Sequence, residues 1–282
     1  VESHHNLISD SALIQETFDL LSKNGGRGSF AEIVDAVFRL AHADEELAAS
    51  LIGDLVRGDP RFALEQTHLT ILDDPVEHRP LKEIDFVVLD VEAIGARGVP
   101  ARIIELGAYH VRSGSIIDEF QTLINPEVPL PRFIATLTGI SDEMVKGAPG
   151  FAQVVDAWLD FAGDAVLVAH NATFDLALLN QEIARVFPGY RMRNAELCTV
   201  KLARRLMRDL DSHNLDALAD HFGLEIAERH RAASDARATA QILIRLLDQL
   251  DAHGVHTLID ARSFHARQEV DGEMVRQLAL DV

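Results

Sequence analysis

The apolar positions of this chain change rhythm along its length. Between residues 6 and 23, Leu7, Ile8, Leu13, Ile14, Phe18 and Leu21 recur near helical spacing, which predicts a first helix. Asn-Gly-Gly-Arg-Gly at 24–28 breaks it, and Ser29 stands where it can cap a second helix with Ile33, Val34, Val37 and Phe38 on one face. A third helix is predicted from about Asp44 to Val56, and residues 61–73 then alternate like a strand or short hairpin. Three helices and a hairpin resemble a winged helix-turn-helix module. The polar, proline-bearing stretch that follows reads as a linker. Beyond it the spacing becomes strand-like. A buried strand is predicted at 84–91, and two more at 101–111 and 115–124 are joined by an Arg-Ser-Gly turn. A helix near 150–162, a short strand at 165–169 and helices near 173–186, 199–209, 214–221 and 232–251 complete the pattern. Strands first, then helices around one more strand, imply an α/β domain with a mixed sheet flanked by helices. The expected division is a winged-helix-like domain at 1–72, a linker at 73–82, the α/β domain at 83–252 and a helical, polar tail at 253–282.

Composition narrows the picture. Hydrophobic residues make up 48%, enough for a sizeable core and too many for a disordered chain. One cysteine, Cys198, excludes an internal disulfide and points to a reducing compartment. The apolar runs are too short to span a membrane, and the first residues lack the regions of a signal peptide, so a cytoplasmic protein with no membrane partner is the expectation. The formal charge of −19 argues against tight, non-specific duplex binding. It leaves room for a short single strand, because bound metal neutralises part of the charge and a strand needs only a local funnel.

Five residues stand out chemically. Asp90 and Glu92 are two apart on a predicted strand, so both side chains leave one face. Asp90 follows four apolar residues, at the carboxyl end where ligands gather in open α/β sheets. Gly95 permits a close backbone approach. Asp175 falls in the first turn of a helix that Asn171 is placed to cap. His230 and Asp235 bracket the start of the last long helix, whose Ala232, Ala233, Ala236, Ala238 and Ala240 allow tight packing beside the acidic strand. Taken singly, each segment also fits a structural role: a strand end turning to solvent, a helix start, a solvated loop histidine. Taken together, carboxylates beside apolar segments are costly to bury unless a divalent cation pairs them. Two cations held this way can hydrolyse a phosphodiester.

In this order the motifs resemble the DEDDh branch of the DnaQ-like 3′–5′ exonucleases, over about residues 84–250. Phe-Val-Val-Leu-Asp-Val-Glu-Ala-Ile-Gly matches the first motif, His170 to Asp175 the second, and His230 with Asp235 the third. Leu-Thr-Gly-Ile at 137–140, Cys198–Arg204 and His213–Gly223 match supporting stretches. The resemblance implies a ribonuclease-H-like fold. It implies that Asp90, Glu92, Asp175 and Asp235 hold two Mg²⁺ or Mn²⁺ ions, with Asp90 bridging, and that His230 is the general base. It places Ala93, Ile94, Gly95, Leu137 and Thr138 beside the terminal nucleotide; Phe174 fits that role or a place in the core. His170 and Asn171 are expected to be structural. Where the family often has Glu-Thr-Thr-Gly, this chain has Glu92-Ala93-Ile94-Gly95, which leaves the sugar preference open. The implied substrate is single-stranded DNA or a frayed 3′ end, in proofreading or repair, with RNA as the alternative. A non-catalytic assembly module is the reading of another class. The third helix of the first domain, acidic and apolar, would repel phosphates, although Arg57 and Arg61 flank the predicted wing. A polymerase or repair protein is the partner expected for that domain.

Overall fold

The computed structural model describes residues 4–96 and 99–265. In the first third, β1 (Leu7–Ser9) is followed by α1 (Ala12–Lys23), β2 (Arg27–Ser29), α2 (Phe30–Phe38), α3 (Glu45–Leu55), β3 (Phe62–Leu64) and β4 (His68–Ile71). The caps follow from the sequence. Ser29 accepts from the Glu32 amide at 3.3 Å while Glu32 accepts from the Ser29 amide at 2.9 Å, a reciprocal capping box. Asp44 accepts from the Leu47 amide at 2.8 Å. The three helices enclose a small core around Leu21, Ile33, Val34, Ile52 and Leu69, closed by the antiparallel sheet β2-β4-β3. The stretch 24–28, expected only to break a helix, also starts β2, an edge of that sheet.

Two expectations here are corrected. Leu7 and Ile8 belong to a strand, not to the first helix, which begins at Ala12. Their apolar pair matches helical spacing, but β1 runs antiparallel to Tyr190–Met192, and Leu7 is buried in the core of the second unit. The expected linker is also no free tether. Pro75–His78 and Leu81–Glu83 are short 3₁₀ turns, Leu81 donates its amide to the His256 carbonyl at 2.7 Å, and Glu77 pairs with Arg262.

The second unit runs β5 (Phe86–Ala96), β6 (Val99–Arg112), β7 (Ser115–Leu123), α4 (Arg132–Thr138), α5 (Asp142–Lys146), α6 (Phe151–Ala162) and β8 (Val166–Ala169). It continues with α7 (Ala172–Val186), β9 (Tyr190–Met192), β10 (Glu196–Cys198), α8 (Thr199–Leu206), α9 (Leu215–Phe222), α10 (Ala232–Ala252) and α11 (Leu258–Ser263). Five strands form one mixed sheet in the order β10-β8-β5-β6-β7, with β10, β8 and β5 parallel and β5, β6 and β7 antiparallel. The period of two divides the strands between two cores. Val87, Leu89 and Val91 face α6 and α7, around Trp158 and Leu179. Phe86 and Val88 face α10, around Ala236, Leu243 and Leu246.

The tail expected at 253–282 is in part core: Val255, Leu258 and Ala261 are buried against the α10 side of the sheet. Its remainder, 266–282, lies outside the described residues. No helix among the described residues is long and apolar enough to cross a membrane.

Candidate functional site

The site begins where β5 outruns its parallel neighbour. Pairing with β8 stops at Val88, while pairing with β6 continues through Glu92, opposite Glu105. The free edge beyond Val88 receives the start of α7. There the buried Asp175 carboxylate lies near its own amide and that of Val91, both of which favour its ionised form. The same helix is fixed two turns on, where buried Glu182 accepts from Arg102 Nε at 2.7 Å and from the Ile103 amide at 3.3 Å. Asp90 and Glu92 leave the opposite face of the strand, on the side of α10.

The third element arrives through an unusually close packing. A Cβ on Gly107 of β6 would stand 2.4 Å from the Ala233 amide nitrogen and 2.5 Å from the Ala232 carbonyl carbon. Only glycine lets α10 sit there. Beside it, fully buried Glu105 accepts from the Ala232 amide at 2.9 Å and from Arg231 at 2.8 Å. These contacts set the first turn of α10, and with it Asp235. His230, just before the helix, takes a left-handed backbone at φ 60° and donates its amide to Asp235 Oδ2 at 3.2 Å.

Ligand atoms of Glu92, His230 and Asp235 consequently lie within 4.8 Å of one another. Asp90 shares their field. Burial, and then the charges of Asp175, Asp235 and Glu92, push its carboxyl well above the usual range. Burial, then Asp235 and Glu105, push Glu92 up to about 7. Burial raises Asp175 to about 6 despite the two amides near it. Asp235 is raised by burial and held back by Arg229, which bridges it to Asp216. Asp235 Oδ1 is buried with no hydrogen-bond partner among the described residues. Four carboxyls raised by burial, Asp90 and Glu92 pushed further by neighbouring acids, and an orphaned oxygen on Asp235 fit a hard divalent cation, with Glu92, His230 and Asp235 offering the ligand atoms within 4.8 Å of one another.

With this geometry, the sequence comparisons decide the family. A model of the RNase_T family, described as "Exonuclease", matches residues 87–243, more than half of the chain. The chain belongs to the DnaQ-like exonuclease family. This exonuclease domain is 40% identical over 189 residues to a protein named "DNA polymerase III PolC-type" from Caldanaerobacter subterraneus subsp. tengcongensis, covering 67% of the chain and 13% of that protein. It is 38% identical over 178 residues to the PolC-type protein of Bacillus subtilis (strain 168), covering 63% and 12%. The chain thus spans about an eighth of the length of these relatives. Among solved structures, the nuclease domain of 3′hExo, a DEDDh family member bound to rAMP, has the same fold. Its TM-score is 0.50 at 21% identity, over 60% of this chain and 94% of that one. DEDDh exonucleases depend on divalent metals, in keeping with the acid cluster of this domain.

Around the acids, several expectations change. Thr138 is 3% exposed, and its hydroxyl is spent on the Ile134 carbonyl and the Ile140 amide, so it presents nothing to a nucleotide. Ile94 is buried in a cluster with Ile104, Ile134 and Ile140, where it anchors α4 rather than touching substrate. Asn171 sits at the start of α7 at φ 111° but makes no side-chain cap bond. Ala93 is half-buried, and Gly95 backs onto Ala101, where a Cβ would come within 3.2 Å. Leu137 and Phe174 do stand open, at 49% and 57% exposure, and Phe133, one turn before Leu137, is 62% exposed. His170 Nδ1 meets Thr199 Oγ1 at 3.0 Å, its Nε2 is buried without a hydrogen-bond partner among the described residues, and burial lowers its pKa to about 4. Arg229, Glu105, Arg231 and Gly107 had no place in the sequence reading. Glu105 carried a signal, since a lone carboxylate in Ile-Ile-Glu-Leu must find a buried partner.

Proposed function

We propose that this chain hydrolyses nucleic acid from the 3′ end, releasing nucleoside monophosphates from single-stranded or frayed DNA in proofreading or repair. The observation that carries the reading is the convergence of Glu92, His230 and Asp235 within 4.8 Å, beside Asp90 and Asp175. Asp90, Glu92, Asp175 and Asp235 would hold Mg²⁺ or Mn²⁺, because an oxygen-rich ligand set suits these ions better than zinc. Ions held by these residues would supply acidification of an attacking water and stabilisation of a leaving 3′ oxygen. His230 accepts the water's proton at a ring nitrogen. Its left-handed backbone, tied to Asp235, aims the imidazole at the cluster. Leu137, Phe133 and Phe174 are exposed apolar side chains that could each stack on a base, a contact worth about 1–3 kcal/mol. That the PolC-type relatives are named DNA polymerases supports DNA, while the 3′hExo nuclease domain bound to rAMP keeps RNA as the alternative.

We read the first unit as winged-helix-like, on its order of α1, β2, α2, α3, β3 and β4. Its α3 exposes Leu47 beside Glu45 and Glu46, which suits a protein partner such as a polymerase or repair factor better than a phosphate backbone.

Incubation with a 5′-labelled single strand and Mn²⁺ is expected to give stepwise shortening that a chelator stops. A strand left intact overturns the reading. DNA and RNA of one sequence, run side by side, test the sugar preference.

A further inference from the structure

Many arginines among the described residues are spent on carboxylates: Arg102 on Glu182, Arg112 on Asp85, Arg193 on Asp164, Arg229 on Asp216 and Arg231 on Glu105. Lys201 and Arg204 are different. They lie one turn apart on α8, both exposed, and neither forms an ion pair among the described residues. They line an open notch of about 650 Å³ together with His170, Ser212 and Asn214, and Asp211 is the single carboxylate in its wall.

The notch adjoins the acid cluster. His170, in its wall, is five residues before Asp175. The charges of Arg229, Asp216 and Arg204 all act on the His170 imidazole. Arg229 is neutralised by Asp216 and Asp235, so the unpaired positive charge beside this wall is that of Arg204 and Lys201. Asn214 uses its side-chain oxygen on the Ala217 amide at 2.8 Å, which leaves the NH₂ group to donate. Elsewhere a net charge of −19 repels phosphate, so a strand whose end lies among the acids is drawn out along the positive side.

We propose that Lys201, Arg204 and Asn214 form a phosphate track that grips the sugar–phosphate backbone of a single strand upstream of its 3′-terminal nucleotide. The proposal rests on the exonuclease reading above. It requires direct charge contacts, which have a defined signature: on single strands each phosphate contact contributes about 0.7 to the slope of log affinity against log salt.

The test is a salt titration of binding in Mg²⁺, using a fluorescein-labelled deoxyoligonucleotide with phosphorothioate linkages at its 3′ end, read by anisotropy. The protein is compared with its Lys201→Gln/Arg204→Gln form and with Lys23→Gln, an exposed lysine of the first unit, as control. The double variant is expected to lose about 1.4 from the slope, and Lys23→Gln to lose nothing. An unchanged slope in the double variant overturns the track, as does an equal loss in the control. Shortening of an unmodified strand by the unsubstituted protein is scored separately. If the strand is never shortened but the slope falls as expected, the exonuclease reading fails and the track stands. If the strand is shortened and the slope does not move, the track alone fails.

Discussion

Glu92 lies directly across the β5–β6 ladder from Glu105. One carboxylate faces the candidate metal site and the other is sealed beneath it, bound to Arg231 and to the first amide of α10. Glu105 is thus both a repelling neighbour of Glu92 and the anchor for the helix that carries Asp235. Breaking a buried ion pair from one side typically costs about 3–5 kcal/mol. Glu105→Ala is expected to lose about that much in denaturant unfolding, with a fall in exonuclease rate. In a double-mutant cycle with Arg231→Ala the two losses should be clearly non-additive. Simple additivity would show that the pair does not act as a unit.

The raised carboxyls predict an unusual pH dependence. A carboxyl with a higher pKa folded than unfolded stabilises most when protonated, below its unfolded value near 4. It loses that contribution as pH rises through the folded value. With Asp175 at about 6 and Glu92 at about 7, the window runs from about pH 4 to 7. Without metal, the Tm of the unsubstituted protein should fall relative to Asp175→Asn/Glu92→Gln between pH 5 and 8, by several degrees. Added Mn²⁺ should restore it only where the carboxylates remain. A metal-free difference that is flat across this range would contradict the burial of these acids.

Gly107→Ala tests the packing that delivers Asp235. The new methyl would meet the backbone of Ala232 and Ala233, which cannot rotate away. A stability loss of about 1–3 kcal/mol or more is expected, since overpacking moves a helix. The residual activity should be poor even in folded protein, because α10 must shift. Full activity in Gly107→Ala would show that the acid cluster tolerates displacement.

His230→Ala should reduce kcat by about 10²–10⁴-fold, the usual contribution of a general base. Asp90→Ala should reduce it at least about 10²-fold, the scale of a lost electrostatic stabiliser. The two separate in a calorimetric Mn²⁺ titration: affinity should weaken far more in Asp90→Ala. A greater loss of Mn²⁺ affinity in His230→Ala would exchange their roles.

Much of the second unit was legible because its segments are long and strongly periodic. β5 and β6 carry continuous apolar runs, and α6, α7 and α10 carry apolar stripes, so each declares itself locally. Glu92, His230 and Asp235, whose ligand atoms the fold brings within 4.8 Å of one another, were legible in two short motifs. What escaped depends on contacts distant in sequence. β1, β9 and β10 are three residues each and exist only through their partners. Ile94 and Thr138, both expected beside the terminal nucleotide, have side chains turned inward, Ile94 into the α4 cluster and Thr138 onto the Ile134 carbonyl, which local spacing does not show. Arg229 reads as one charge in a polar loop until Asp235 and Asp216 close on it.

The strand β1 has a consequence for how the molecule can be cut. Asn6 holds the Leu159 carbonyl at 2.8 Å, and Leu7 fills a place in the nuclease core, before the chain departs to build the first unit and comes back at Leu81. The three-helix unit is thus a loop-out from the nuclease rather than a bead in front of it. A truncation starting at residue 73 would strip a staple from the catalytic half. Excision of 11–72 with the two ends rejoined is the operation that respects the architecture.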